Sequence, residues 1–376
     1  MAGIYIHIPY CKQKCHYCNF FTFSSAKYRD VFVDSLIKEI NLRKNYLKNE
    51  IINTIYLGGG TPSVLQIDEI NRIIHHLNKT FDVSKDVEIT LEANPDDLDK
   101  IKLQELKNYT SINRLSIGIQ SFFDDDLEYL NRVHNSKNAI QSIENSLLTG
   151  FDNLSVDLIY GIPGLTENKW RNNLKTFFDF DIKHLSSYSL TVEPKTALNT
   201  LISKNKMAAV NEEESNAHFK ILLEETEKND FVHYEISNFA KKGYYSKHNS
   251  IYWLGGHYAG FGPSAHSFKG KSRQWNIANM KEYVEMDSID KIILEKEILT
   301  LNQQYNEYVM TSLRTSWGCD SVHIKNVFGE KYVEAFENIV QKFILNKSIK
   351  KDASIYCLTK KGKLFADGIA SDFFIF

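Results

Sequence analysis

Residues 5–20 read YIHIPYCKQKCHYCNF, a strand-like segment followed at once by three cysteines. The part before the cysteines is rich in isoleucine and tyrosine, which is typical of a β-strand. Cys11, Cys15 and Cys18 form the pattern CxxxCxxC in the loop that follows. The arrangement predicts a group of soft, thiolate metal ligands directly after a first strand.

The cysteine content favours a metal or iron–sulfur site over disulfides. The chain has five cysteines, an odd number, and three of them fall within residues 11–18. Such a cluster does not form a disulfide framework in a large chain of a reducing compartment. The other two, Cys319 and Cys357, are interpreted as small buried hydrophobic residues.

The number of cysteines in the loop bears on whether the site holds zinc or an iron–sulfur cluster. A structural zinc site takes four ligands, commonly from two CxxC pairs. His16 would have to be the fourth ligand, and its place next to Cys15 is awkward for closing a tetrahedron. Three cysteines on a [4Fe–4S] cluster would leave one iron without a protein thiolate, open to a small molecule. The cluster is the favoured hypothesis, and a zinc knuckle or buried free cysteines are the alternatives.

Strand-like and helix-like segments alternate along the first half of the chain. The strand-like segments are 3–8, 51–57, 86–93, 112–119, 153–160 and 184–192. The helix-like segments are 26–48, 66–78, 97–108, 137–149 and 167–179. Several strands read as nearly continuous apolar runs, as expected of parallel strands buried on both faces. The pattern predicts an α/β fold, a partial (β/α)6 barrel of the TIM type.

Polar and glycine-rich motifs follow these strands. After the cysteine loop come GGGTPS (58–63), LEANPDD (91–97), GIQSF (118–122) and DLIYGIPG (157–164). Because barrel enzymes build their sites at the carboxyl ends of the strands, a functional site is predicted at this end.

The second half of the chain is less regular. It has helical patterns at 211–229, 295–313, 331–345 and 360–370, a strand at 234–240, a hairpin at 348–357, and irregular loops over 243–282. We expect one domain over 1–285, with the barrel at about 1–230 and loops at 231–285, and a smaller helical, winged-helix-like domain over 290–376. This domain is interpreted as a structural cap, because its lysines do not form one patch.

Composition excludes several classes of protein. Among 376 residues, 45 Lys and Arg stand against 47 Asp and Glu, a net charge of −2. That balance excludes a strongly basic nucleic-acid binder. No run is long and apolar enough for a membrane span, and no basic segment leads into an apolar one as in a signal peptide. We therefore expect a cytoplasmic protein.

The cysteine spacing, with Tyr17 before the last cysteine, resembles the signature of radical S-adenosylmethionine (SAM) enzymes. Residues 5–20 closely resemble the branch with oxygen-independent coproporphyrinogen III oxidase (HemN) and the related HemW haem chaperones. GGGTPS, LEAN, GIQSF, DLIYGIPG and YEISNFA occur in the order of that branch. The resemblance implies a [4Fe–4S] cluster on Cys11, Cys15 and Cys18 and a HemN-like C-terminal domain.

The same resemblance implies residues that contact SAM: Tyr5, Tyr17, Gly59, Gly60, Thr61, Glu92, Gln120, Arg132 and Asp157. In the glycine-rich turn, the absent side chain would let the backbone approach the methionyl amino group. Glu92 corresponds to the family's acidic contact to the ribose or amino group. Arg132 is suited to grip a carboxylate through two parallel hydrogen bonds.

Two departures from the oxidases favour a haem carrier. The oxidases have a further cysteine two positions after the third, where this chain has Phe20. Their long arm before the motif has no counterpart ahead of Cys11. The leading hypothesis is a chaperone that binds a [4Fe–4S] cluster, SAM and haem and transfers haem to acceptor proteins. An anaerobic coproporphyrinogen oxidase is the alternative, and a zinc-stabilised structural protein is a third.

The segment HNSIYW (248–253) supports the carrier hypothesis, because it resembles the HNxxYW motif associated with haem binding in this branch. Imidazole is a good iron ligand, so His248 is the candidate ligand, and Tyr252 and Trp253 would line the porphyrin face. The alternative is a hydrogen-bonded histidine in an aromatic cluster. His257 and His266 are weaker candidates.

The resemblance also implies partners. These are haem, haem-acceptor proteins and an electron donor for the cluster, with membrane contact only through an acceptor. No catalytic residue is assigned, and SAM cleavage, the haem acceptor and homodimer formation are left open.

Overall fold

Six parallel strands in chain order form the centre of the structure, a computed structural model that describes residues 1–25 and 27–376. These strands are β1 (Ala2–Ile8), β2 (Ile52–Gly59), β3 (Val83–Ala93), β4 (Arg114–Gln120), β5 (Leu154–Tyr160) and β6 (His184–Ser189). All six lie where the sequence predicts them. Ala26, the first residue of the predicted helix 26–48, lies outside the described residues.

Further strands extend this sheet on both sides or form a small second sheet. They are β7 (Val232–Glu235), β8 (Asn238–Ala240), β9 (His257–Phe261), β10 (His266–Lys269), β11 (Ser272–Asn276), β12 (Ile293–Ile298), β13 (Cys319–Asp320), β14 (Ile349–Asp352) and β15 (Ile355–Leu358). Within the described residues the large sheet has the order β12-β11-β10-β9-β1-β2-β3-β4-β5-β6-β8-β7.

The helices connect and cover these strands. They are α1 (Arg29–Leu42), α2 (Ile67–Thr80), α3 (Lys100–Tyr109), α4 (Asp124–Tyr129), α5 (Ser136–Leu148), α6 (Glu167–Asp179), α7 (Ala197–Ser203), α8 (Glu212–Lys228), α9 (Lys247–Trp253), α10 (Met280–Val284), α11 (Leu301–Leu313), α12 (Ser321–Phe328), α13 (Glu330–Leu345), α14 (Lys360–Lys363) and α15 (Ala366–Ser371). Several begin at a side chain that accepts a hydrogen bond from the first turn, as Thr166 does from the backbone N–H of Lys169.

The parallel strands are buried on both faces, as the sequence predicts, and their residues alternate between apolar and polar. On β1, Ile4 and Ile6 are fully buried in the hydrophobic core. Tyr5 lies on the opposite face, where its ring is 6.2 Å from that of Tyr56 on β2. Since successive side chains point to opposite faces of a strand, the helices cover an apolar outer face and the barrel interior is polar.

Three predictions for the second half are wrong in detail. Residues 243–282 contain α9, β9, β10, β11 and α10, and residues 234–240 form the β7–β8 hairpin. The glycines favour close strand packing here: a Cβ on Gly260 would lie 2.1 Å from the carbonyl oxygen of His266. The predicted helix 295–313 is strand β12 followed by α11, because Thr300 and Gln303 form a capping box that begins the helix there.

The C-terminal module is winged-helix-like, as predicted. Helices α11, α12 and α13 pack on a three-stranded antiparallel sheet of order β13-β15-β14. Its core, which includes Tyr305, Phe336 and Tyr356, is separate from the core of the barrel. The predicted helix 360–370 is divided into α14 and α15. Cys319 is buried as predicted, whereas Cys357 is only half-buried, so that prediction is wrong for Cys357.

A seam of polar and backbone contacts joins this module to the barrel. The amine of Lys363 donates to Nδ1 of His233 at 2.8 Å, and Arg314 pairs with the buried Glu235 at 3.4 Å. The backbone N–H of Ser316 donates to the carbonyl of Tyr234 at 2.9 Å. In the described part of the chain, no helix has the length and apolar character needed to cross a membrane.

Candidate functional site

The three loop cysteines stand at the carboxyl end of β1, beside the turn that follows β2. The backbone N–H of Thr61 donates to the carbonyl of Tyr10 at 2.7 Å, which ties the loop to the turn. The hydroxyl of Thr61 donates to Sγ of Cys11 at 3.4 Å, and Nη1 of Arg132 donates to Sγ of Cys15 at the same distance. All of Cys11, Cys15 and Cys18 are free and partly buried.

Burial affects the protonation of two of the loop thiols, Cys11 and Cys18. Burial raises the pKa of Cys11 to about 11 and also raises the pKa of Cys18. Both are therefore neutral thiols near pH 7, and iron binding would release their protons.

The arrangement of the thiols bears on the kind of metal centre. Across residues 1–25 and 27–376, no three His, Cys, Asp or Glu side chains converge to hold one metal ion. An iron–sulfur cube takes its thiolates on different irons, so the three ligands need not converge on one point. The donor set therefore fits a [4Fe–4S] cluster with one iron lacking a protein thiolate.

Arg132 connects the loop to the ends of β3 and β4. Its Nη2 donates to Oδ1 of Asn94 at 2.6 Å and to the carbonyl of Gly118 at 2.8 Å. The Nε atom is buried and has no hydrogen-bond partner in the described residues. One donor of the guanidinium, Nε, is thus unused beside the cysteine loop, and the pairing of Arg132 with a carboxylate stays a prediction. The phenol of Tyr17 lies beside the same guanidinium and Cys15, and burial raises its pKa.

The glycine-rich turn has a structural reason for its glycines. Gly59 has a φ of +110°, and a Cβ there would lie 2.5 Å from the ring of His7. A Cβ on Gly60 would lie 2.7 Å from the carbonyl oxygen of Tyr10. The turn therefore packs directly against β1 and the cysteine loop. Contact with SAM at Gly59, Gly60 and Thr61 stays a prediction.

Two partly buried carboxyl groups, those of Glu92 and Asp157, face the barrel interior near the turn. Glu92 accepts hydrogen bonds from the phenol of Tyr56 at 2.8 Å and from the backbone N–H of Gly59 at 3.0 Å. Burial raises its pKa from 4.5 to about 7. Asp157 accepts from the hydroxyl of Ser116 at 3.3 Å, and burial raises its pKa to about 6. Both carboxyls therefore lose their protons close to neutral pH, and the barrel interior becomes more negative as the pH rises through this range.

Of the remaining predicted SAM residues, Gln120 lies at the carboxyl end of the barrel and Tyr5 lies within strand β1. Gln120 ends β4 with a left-handed φ of +68° and is almost fully buried. Tyr5 lies deeper, and its phenol is 3.2 Å from Nδ1 of His7. The structure thus brings the predicted residues to one side of the barrel interior and its carboxyl end, and their contact with SAM stays a prediction.

Sequence reasoning missed Arg114, a buried cation inside the barrel. It is 1% exposed, and its Nε has no hydrogen-bond partner in the described chain. Its positive charge lowers the pKa of the buried His184 and His248, after the larger effect of burial. The polar–apolar alternation of RLSIGIQ on β4 was the available indication, since it puts Arg114 on the same face as Ser116.

The HNSIYW segment forms α9, and His248 points into the barrel. Its Nδ1 is 2.7 Å from the hydroxyl of Thr54, and its Nε2 is 2.8 Å from the phenol of Tyr252. The imidazole stacks on Tyr56 at 4.9 Å, and burial lowers its pKa to about 3. An iron at His248 would have to replace one of these hydroxyl partners, so haem contact there stays a prediction.

The other candidates of this region lie elsewhere. His257 pairs with Glu50, and His266 stacks on Trp275 at 5.8 Å. Tyr252 and Trp253 line a cavity of about 920 Å³ between α9 and the C-terminal module.

Comparisons with known proteins agree with this architecture. The chain matches the sequence profiles of the Radical SAM superfamily over residues 5–177 and of the HemN C-terminal domain over residues 299–365. Coproporphyrinogen III oxidase (HemN) of Escherichia coli has a similar structure, with a TM-score of 0.84 at 20% identity over 99% of this chain and 89% of that chain. The likeness confirms the predicted fold.

Sequence relatives cover the whole chain. It is 34% identical to the "Heme chaperone HemW" of Bacillus subtilis, over 99% of both chains. It is 31% identical to the "Heme chaperone HemW" of Buchnera aphidicola from Acyrthosiphon pisum, over 99% of this chain and 98% of that protein. The radical SAM family implies a [4Fe–4S] cluster and SAM. The chain belongs to the HemW family of the radical SAM superfamily.

Proposed function

We propose that this protein is a haem chaperone, which binds haem and transfers it to acceptor proteins. The observation that favours a carrier over an oxidase is the presence of Phe20 after the third cysteine of the loop. Its side chain is 63% exposed beside the cysteine loop, at the position where the oxidases have a further cysteine. The full-length likeness to proteins named haem chaperones supports the same choice.

Cys11, Cys15 and Cys18 would hold the [4Fe–4S] cluster. When bound and reduced, a cluster of this kind with SAM supplies a 5′-deoxyadenosyl radical. Arg132 would hold the Cys15 side of the loop in place, because it donates to that sulfur and to the ends of two strands. Thr61 would do the same for Cys11.

The SAM contacts are assigned to the residues around this loop and below it: Tyr5, Tyr17, Gly59, Gly60, Thr61, Glu92, Gln120, Arg132 and Asp157. Two features support them. The unpartnered Nε of Arg132 is a donor for a carboxylate, and the carboxyls of Glu92 and Asp157 are acceptors for hydroxyl or ammonium groups.

The setting follows from the same chemistry. The half-buried free thiols of the cysteine loop stay reduced in a reducing compartment, so the cytoplasm is the proposed location. The proposed partners are a haem acceptor and an electron donor for the cluster. Membrane contact is proposed only through the acceptor, and self-association is proposed as a homodimer.

The test separates carrier from oxidase in one preparation. The chain is reconstituted anaerobically with iron and sulfide and then given SAM, a reductant and coproporphyrinogen III, with carbon dioxide release as the readout. In parallel it is titrated with haem and mixed with apomyoglobin as a model acceptor. We expect haem binding, haem transfer and no carbon dioxide. Sustained carbon dioxide release would establish the oxidase instead.

A further inference from the structure

The cavity lined by Tyr252 and Trp253 has two walls from different parts of the chain. One wall is aromatic and comes from α9, β9 and β10: Tyr252, Trp253, Tyr258 and Phe268. The other comes from α11 and α12 of the C-terminal module and includes Tyr308 and Phe328. The volume of about 920 Å³ is at the upper end of the usual range for pockets that hold organic ligands.

The rings of the aromatic wall pack on one another. The rings of Tyr252 and Tyr258 meet edge to face at 4.6 Å, and Phe268 lies 6.1 Å from Tyr258. The phenol of Tyr252 is fixed by its hydrogen bond with Nε2 of His248. A wall of ordered rings favours a flat apolar ligand, since little side-chain freedom is lost when it binds.

A histidine stands on the opposite wall. Of the described histidines, His323 alone lines this cavity. Its ring stacks on Tyr308 at 4.4 Å and lies 6.1 Å from Phe328. The side chain is exposed, and within the described residues neither of its ring nitrogens has a hydrogen-bond partner. An imidazole that is positioned by stacking and keeps both nitrogens available is suited to coordinate iron.

A second polar group is also unpartnered. The indole N–H of Trp253 is buried and has no acceptor in the described chain, while the guanidinium of Arg314 lies 5.3 Å over the ring. The stacked guanidinium holds the Trp253 ring in place at the wall of the cavity.

The charges indicate how an anionic ligand would be oriented. Arg273 lines the cavity between Glu297 and Glu307, at 2.8 Å from each. Because Arg273 already pairs with both carboxylates, it offers little attraction to the carboxylates of a ligand. A porphyrin would therefore have its propionates toward solvent and its apolar edge between the aromatic walls.

We propose that haem is carried in this cavity, with His323 as an axial ligand of the iron. The inference rests on the proposed haem-carrier function and names the site. Tyr252 and Trp253 contact the porphyrin, and His248 is a positioning residue that holds Tyr252. The motif thereby contributes to haem binding without its histidine reaching the metal.

The test uses the reconstituted full-length protein and haem, with the Soret band and the stoichiometry as readouts. We expect His323→Ala to weaken haem binding by at least about tenfold and to shift the Soret maximum. Met310→Trp, at a half-exposed residue that lines the cavity, should block the volume with an equal or larger loss. His75→Ala removes an exposed histidine on α2 and should change nothing.

The outcomes separate this inference from the function. If the wild-type chain binds no haem, the proposed function fails. If it binds haem and both His323→Ala and Met310→Trp bind as tightly as His75→Ala, the function stands and the site is wrong. Cluster content and the unfolding midpoint of each variant show that loss of binding is not loss of folding.

Discussion

The imidazole of His248 and the phenol of Tyr252, four residues apart on α9, are joined by a hydrogen bond of 2.8 Å between Nε2 and Oη. The bond uses the nitrogen that an iron ligand would need, and the other nitrogen is bonded to Thr54. His248 therefore links Thr54 on β2 to Tyr252, whose ring lines the cavity. Replacing His248 is expected to lower the stability of the fold and to shift the ring of Tyr252.

His248→Ala should lower the free energy of unfolding by about 2–4 kcal/mol, because it leaves two buried hydroxyl groups without a partner and a void beside Tyr56. The Soret maximum of bound haem should not move. Denaturant unfolding and haem spectra check both parts. Tyr252→Phe is the matched control, since it removes only the hydroxyl and should cost about 1 kcal/mol. A shifted Soret band with unchanged stability would make His248 the ligand.

Cysteine substitutions should divide into two classes. Serine at Cys11, Cys15 or Cys18 should abolish most of the iron and sulfide bound after anaerobic reconstitution, because each removes a soft ligand of the cluster. Cys319→Ala and Cys357→Ser should retain wild-type iron, since both residues belong to the C-terminal module. Iron and sulfide analysis gives the answer. Equal iron in all five variants, or zinc in place of iron, would exclude the cluster.

The charge of Glu92 should make stability depend on pH. Its pKa is raised by burial from 4.5 to about 7, so between these values the folded chain keeps a proton that the unfolded chain has released. Raising the pH through this window therefore favours unfolding. Glu92→Gln imitates the protonated form and should flatten the slope and stabilise the apoprotein above about pH 7.

Denaturant midpoints across this pH range measure the Glu92 effect. Glu144→Gln, at an exposed residue of α5, is the control and should follow the wild type. A wild-type slope in Glu92→Gln would assign the pH dependence to another group, with Asp157 the next to substitute because burial also raises its pKa.

Gly60→Ala should damage the cysteine loop. The new Cβ would lie 2.7 Å from the carbonyl oxygen of Tyr10, and both partners are backbone that cannot turn away. We expect a loss of about 2 kcal/mol or more in unfolding free energy and less iron after reconstitution. Gly368→Ala is the matched control: a Cβ there has no neighbour within 4 Å. An iron content of Gly60→Ala equal to that of Gly368→Ala would mean that the turn adapts.

The sequence predicted the parallel strands well, because the local residue pattern of each strand is enough to identify it. β5, for example, is a short run rich in branched residues, and α6 follows it with a helical period and an N-cap at Thr166. Such local patterns place the cysteine loop and the strand ends before any tertiary contact is known.

The incorrect predictions concern segments whose structure depends on contacts with residues far away in the sequence. β12 is stabilised by pairing with β11, as in the Arg273–Glu297 pair, and its residues could equally suit a helix. The surroundings of His248 depend on Thr54, which is 194 residues away. The cavity was not predictable either, since its walls belong to two separately packed cores.

The division of the chain into two cores determines how the walls of the cavity are held together. The barrel and the C-terminal module are joined along the seam of Lys363–His233 and Arg314–Glu235. In addition, Leu364 packs against the barrel core and Ile236 against the core of the C-terminal module. Substitutions at these few contacts would therefore alter the mouth of the cavity without touching the interior of either core. The fit of a flat ligand is thus determined by both parts of the chain together.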